Sequence, residues 1–251
     1  MKNHIFLFVF GLLFSAAGQN LSGPDIIKKA NEVMNQQSMS AVMTMKILTT
    51  SGQERTFEYQ SYSTNYGEKS LMVYLKPNRV KGQKMLMTNH ADDIWYYNAR
   101  TKRVRKLASH AKKQKFEGSD FSYEDMGAGD SFIKDYHTSL LGEEEKNGLA
   151  CYKVKLVRKP DSDISYPKLI MWVVKDNFVP LVIDYYDDKN PDRPLKTLTQ
   201  SDIRIIDNIP TAMKMEMRNH ADNTATTMTL IKVQYNVHLD DEMFTERGLK
   251  K

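Results

Sequence analysis

The sequence contains one cysteine, Cys151, so no intramolecular disulfide can form and stability has to come from a packed core. A small buried thiol is the simplest reading of that residue, which opens the apolar run Cys151-Tyr152-Lys153-Val154. The chain also lacks an apolar stretch long enough to cross a bilayer as a helix, which takes about 20 residues. Catalytic signatures are missing too. There is no HExxH, no GxSxG, no GxxxxGK followed by Ser or Thr, and no GxGxxG after a strand. His4, His90, His110, His137, His220 and His238 stand apart, no two at a metal-ligand spacing with a carboxylate between them. The acidic pairs Asp187-Asp188 and Asp240-Asp241 fall where turns and helix starts are expected. Nothing here supports an enzyme, a bound metal or a cofactor.

What is present begins with a leader. Lys2, the short apolar run Ile5 to Phe14 and the small residues Ser15-Ala16-Ala17-Gly18 have the layout of a cleavable signal peptide over residues 1–18. An uncleaved N-terminal anchor is the alternative. No cysteine follows the small residues, so no lipid attachment point is visible. The expectation is an exported soluble protein in which residues 19–251 form one domain, since neither an internal repeat nor a low-complexity linker divides them. The formal charge of +5 drops by one when Lys2 leaves.

Periodicity supplies the fold. Residues 22–36 predict a helix, with Ser22 as cap, Pro24 in the first turn, and Ile26, Ile27, Ala30, Val33 and Met34 at helical spacing. From residue 39 the period changes to two: Met39, Ala41, Met43, Met45 and Ile47 share one face. Strands are predicted over 39–48, 54–63, 69–76, 83–89, 92–98 and 101–107, then over 149–158, 167–175, 179–187, 194–206, 210–219 and 225–237. The stretch 108–136 is less regular. Short strands with no helices between them imply an antiparallel meander. A meander this long has to curl or close, which gives a mainly β fold: one curved antiparallel sheet forming a barrel or incomplete barrel, capped by a few helices.

Two compositional features bear on function. Fifteen methionines are many for this length. Met43, Met45, Met72, Met85, Met87, Met171, Met213, Met215, Met217 and Met228 lie in predicted strands. Methionine is unbranched and adaptable, so these side chains either line a cavity for apolar ligands or fill an ordinary core. The second feature is basic: Arg100, Lys102, Arg103, Arg105, Lys106, Lys112, Lys113 and Lys115 fall within sixteen residues. That segment reads either as a solvated face or as a contact for phosphate headgroups or an acidic partner. Export and the absence of interleaved aromatics argue against nucleic acid.

The tract Lys115-Phe116-Glu117-Gly118-Ser119-Asp120-Phe121-Ser122-Tyr123-Glu124-Asp125-Met126 and the near-terminal Phe244-Thr245-Glu246-Arg247-Gly248-Leu249-Lys250-Lys251 resemble the outer-membrane lipoprotein-sorting protein family, the LolA-like periplasmic carriers. Lys76 to Gly82, Asp93 to Tyr97, Arg103 to Leu107, Leu169 to Val173 and Leu195 to Leu198 agree in order, so the resemblance covers the chain beyond the leader. It implies a half-open barrel with helical cover, residence in the periplasm, and a cavity for the acyl chains of lipoproteins or lipids. A membrane transporter or an outer-membrane acceptor is the implied partner. A non-catalytic accessory module of an envelope transport complex is the second reading. The chain is longer than the small carriers, and none of their cavity residues can be placed on it. Phe121 and Tyr123 are candidates for a lid or rim. The tract around them reads equally as a structural lock, with Ser119 or Asp120 capping a short helix.

Overall fold

The computed structural model describes residues 21–251; the stretch read as a signal peptide lies outside the described residues. The chain opens with helix α1 (Gly23–Met34). Ser22 Oγ accepts from Asp25 N, the Asp25 side chain accepts from Ser22 N, and Pro24 sits in the first turn. Such a cap contributes about 0.5–2 kcal/mol. Ile26, Ile27 and Ala30 are buried, so the helix is held by its apolar face as well as by its cap.

Thirteen strands follow: β1 (Ser38–Leu48), β2 (Glu54–Thr64), β3 (Lys69–Lys76), β4 (Lys84–Thr88), β5 (Asp93–Asn98), β6 (Arg103–Lys106), β7 (Tyr136–Lys146), β8 (Leu149–Arg158), β9 (Lys168–Val174), β10 (Pro180–Tyr186), β11 (Lys196–Ile206), β12 (Ile209–Asn219) and β13 (Thr224–Tyr235). They form one antiparallel sheet in the order β6-β5-β4-β3-β2-β1-β13-β12-β11-β10-β9-β8-β7. Two meanders are therefore joined at the centre by the pairing of β1 with β13. The mainly β, unclosed sheet is the predicted architecture. Full closure, the other option the pattern allowed, does not occur, because β6 and β7 remain as edges.

Curvature can be argued from distance. Met72 on β3 and Tyr185 on β10 stand six strand spacings apart, about 29 Å in a flat sheet, yet both line one cavity. The sheet has to curl to bring them together. Register shifts at Val42/Met43, Glu58/Tyr59, Leu140/Gly142 and Pro180/Val182 supply local bends.

The inner face carries the main core, including Met45, Met87, Leu156, Met171 and Met217. On the outer face the C-terminal tail packs Phe244 and Leu249 against Leu71 and Leu86. Cys151 is buried on the outer face with Trp172 and Val182, and burial raises its thiol pKa.

The connection from β6 to β7, residues 107–135, runs from one sheet edge to the other. It contains two single turns and the short helices α2 (Tyr123–Met126) and α3 (Ser131–Lys134). With α1, which packs on α3 and β7, it covers the inner face.

Candidate ligand cavity

The covered side of the sheet leaves a cavity of about 340 Å³, near the low end of the roughly 300–1,000 Å³ typical of small-ligand sites. Its wall alternates by strand, as the pleat requires. Met43 comes from β1, Ser61 from β2, Met72 from β3, Ile183 and Tyr185 from β10, Leu198 and Gln200 from β11, Met215 from β12, and Met228 and Leu230 from β13. The roof is the end of α1 (Val33 to Asn35) with Phe121, Met126 and Phe132 from the 107–135 connection. Asn35 Nδ2 donates to Gly129 O at 2.8 Å and ties the two roof pieces together.

The roof is pinned at several points. Asp120 is 2% exposed; its carboxylate accepts from Thr224 Oγ1 and from Thr226 Oγ1 at 2.8 Å, while its N–H donates to Thr226 Oγ1. Ser119 Oγ accepts from Phe121 N. The cap of α2 is Ser122, not Ser119 or Asp120 as the sequence suggested. Ser122 Oγ accepts from Asp125 N at 3.0 Å, and Asp125 Oδ2 accepts from Ser122 N at 2.7 Å. Those earlier residues carry no cap because two β13 hydroxyls and a turn already use their side chains.

One end of the cavity is polar. Lys196 is 7% exposed; its Nζ lies 3.3 Å from Asp125 Oδ2 and donates to Tyr166 Oη at 2.8 Å. Glu124 accepts from both Ser165 N and Ser165 Oγ at 2.8 Å. Burial nonetheless raises its carboxyl above the ordinary range, with the charge of Asp125 adding to the effect. Burial also holds the phenols of Tyr166 and Tyr185 well above their usual range, and their rings meet edge-on at 4.8 Å.

The methionines singled out from the sequence divide. Met43, Met72 and Met215 line the cavity. Met45, Met87, Met171, Met213 and Met217 are in the packed core. Met85 is buried in that core and also touches a second cavity of about 570 Å³. Phe121 faces the first cavity and Tyr123 the second. Sequence reading singled out Met228, which lines the cavity, but missed Met34, Met39 and Met126 there, and it missed Ser61, Gln200, Tyr166, Tyr185 and the Asp125–Lys196 pair. The inward phase of each strand was a usable signal; the position of the roof, which decides the half of the inner face left open, was not.

A family model described as "uncharacterized protein" matches residues 67–251, well over half of the chain. A DUF1329 family protein from Desulfovibrio piger superposes with a TM-score of 0.81 at 29% identity, covering 90% of this chain and 97% of that one. A candidate outer membrane lipoprotein-sorting protein domain from Vibrio parahaemolyticus gives a TM-score of 0.80 at 26% identity, covering 91% and 98%. The chain belongs to a LolA-like family. A LolA superfamily protein from Nitrosomonas europaea shares the fold, with a TM-score of 0.73 at 22% identity over 90% of this chain and 98% of that one. No curated protein sequence matches the chain. Among the described residues of this LolA-like protein, no group of three or more His, Cys, Asp or Glu side chains is placed to hold a metal ion. None of its described helices is long and apolar enough to cross a membrane.

Proposed function

We propose that this LolA-like protein is a periplasmic, non-catalytic carrier that holds acyl chains of lipoproteins or lipids in the 340 Å³ cavity and takes part in outer-membrane lipoprotein sorting. The observation that carries the reading is a roofed cavity whose wall includes seven methionines: Met34, Met39, Met43, Met72, Met126, Met215 and Met228. Flexible thioethers adapt to a chain with many conformers at little packing cost. Each methylene moved from water contributes about 0.8 kcal/mol, so ten of them outweigh the ordering of the chain and roof only by part of that sum. Release then needs the roof to move. The roof is one crossing connection plus one helix, joined by Asn35 and Gly129, so a partner that pulls on either acts on both. Kinship with a candidate lipoprotein-sorting domain supports the same reading.

The test is lipid extraction and mass spectrometry of protein purified from its native envelope, followed by reloading of the delipidated protein. The expected result is co-purified acylated cargo and uptake of fatty acid or acylated peptide at one equivalent. Delipidated protein that takes up neither removes the carrier reading.

A further inference from the structure

The 570 Å³ cavity is lined by Glu117 and Tyr123 from the β6–β7 connection, Tyr96 from β5, and Arg103 and Arg105 from β6 with Leu107 beyond them. Its charges are arranged in an unusual way. Glu117 accepts a hydrogen bond from Tyr74 Oη, but among the described residues no cation lies within 4.0 Å of its carboxylate. A carboxylate has about four acceptor positions, so most of its capacity is unused. Tyr96 and Tyr123 line the cavity beside it, and aromatic rings of this kind carry negative potential over their faces. A carboxylate beside aromatic faces suits an ammonium group.

The opposite sign stands on the same wall. Arg103 and Arg105 are exposed and two residues apart on the edge strand, hence on one face of it. Neither makes a salt bridge among the described residues, whereas Lys106, Lys112 and Lys115 of the same basic segment pair with Asp93, Asp92 and Asp222. The Arg105 guanidinium lies over the Tyr96 ring, 5.4 Å from its centroid, a contact that consumes none of its N–H donors. Two arginines with unspent donors suit a phosphate.

We propose that this second cavity binds a phosphate-linked amine, the chemistry of a phosphoethanolamine group, with the ammonium at Glu117 between Tyr96 and Tyr123 and the phosphate at Arg103 and Arg105. A purely anionic ligand would meet the Glu117 carboxylate, and a simple amine would leave the arginines unused; a zwitterion satisfies both. The site shares none of its lining residues with the acyl cavity and stands whether or not that cavity carries cargo.

The experiment is titration calorimetry of the purified protein with glycerophosphoethanolamine, ethanolamine and glycerol 3-phosphate, repeated with Glu117→Gln and Arg103→Ala. Glutamine still accepts from Tyr74, and Arg103 is on the surface, so both variants are expected to fold; thermal unfolding checks this. Glycerophosphoethanolamine should bind about tenfold or more tighter than either half alone, the worth of one charge-assisted hydrogen bond. Glu117→Gln should weaken both amine ligands. Arg103→Ala should weaken glycerophosphoethanolamine and leave ethanolamine unchanged. Flotation with phosphatidylethanolamine vesicles against phosphatidylglycerol vesicles then assigns the source: retention on the former alone marks a lipid headgroup, and binding of the soluble ligand without retention marks a free phosphoamine. Equal affinity for glycerol 3-phosphate, retention governed by phosphatidylglycerol, insensitivity to Glu117→Gln, or no binding of glycerophosphoethanolamine would each overturn the proposal.

Discussion

Individual side chains carry more of this structure than its composition suggests. Asp120 is a buried carboxylate satisfied by two threonine hydroxyls of β13. Asp120→Ala leaves those hydroxyls without their acceptor and is expected to cost about 3 kcal/mol, read from urea unfolding; Thr226→Val should cost less, since Thr224 still donates. Glu124 adds a pH signature. Its folded pKa is raised, so the folded state holds its proton at pH values where the unfolded chain has lost it. Its contribution is therefore fully present below the ordinary glutamate value and is lost as pH rises through the folded value. Unfolding free energies at pH 7 and pH 5 should show wild type gaining on Glu124→Gln at the lower pH. An unchanged difference would mean that Ser165 fully compensates the burial. At this scale the sequence was partly legible. The Met213-Met215-Met217 alternation gave the correct face, but Asp120, Glu124 and Lys196 look like any surface charges until the crossing connection packs onto the sheet.

Among the strands, β7 is the one the sequence did not yield. Two leucines side by side at Leu140-Leu141, then Gly142 and three glutamates break the alternation, and the register indeed shifts there. A bulged edge strand with one exposed side has little reason to alternate. The other strands and α1 were visible because each buries one face against the core. In the roof, Gly129 has φ +47°, and a Cβ there would stand 2.0 Å from His90 Nδ1. Gly129→Ala should lower stability by about 1–3 kcal/mol and loosen the Asn35 link, seen as faster proteolysis of the 107–135 connection. The C-terminal tail is a further element whose worth can be measured. Phe244 is 4% exposed against Leu71 and Leu86, so Phe244→Ala is expected to cost about 3–5 kcal/mol while leaving ligand binding intact, because it lies on the outer face.

Across the whole molecule, the account rests on an unclosed sheet curling far enough that β3 and β10 share a cavity. The sequence implied curling, since a flat sheet of this size leaves an apolar face uncovered. It did not reveal where the roof would lie, because that depends on one connection joining two edges that are remote in the sheet. Ser61 offers the most direct test. It is 5% exposed, lines the cavity from β2, and its small side chain leaves room that a larger one would occupy. The decisive measurement is the affinity of a fluorescent fatty acid for wild type and Ser61→Trp, with the melting temperature recorded for both. The account predicts saturable binding to wild type and a loss of about tenfold or more in the variant at similar stability, since an indole and an acyl chain compete for the same space. Equal binding by the two folded proteins would contradict it.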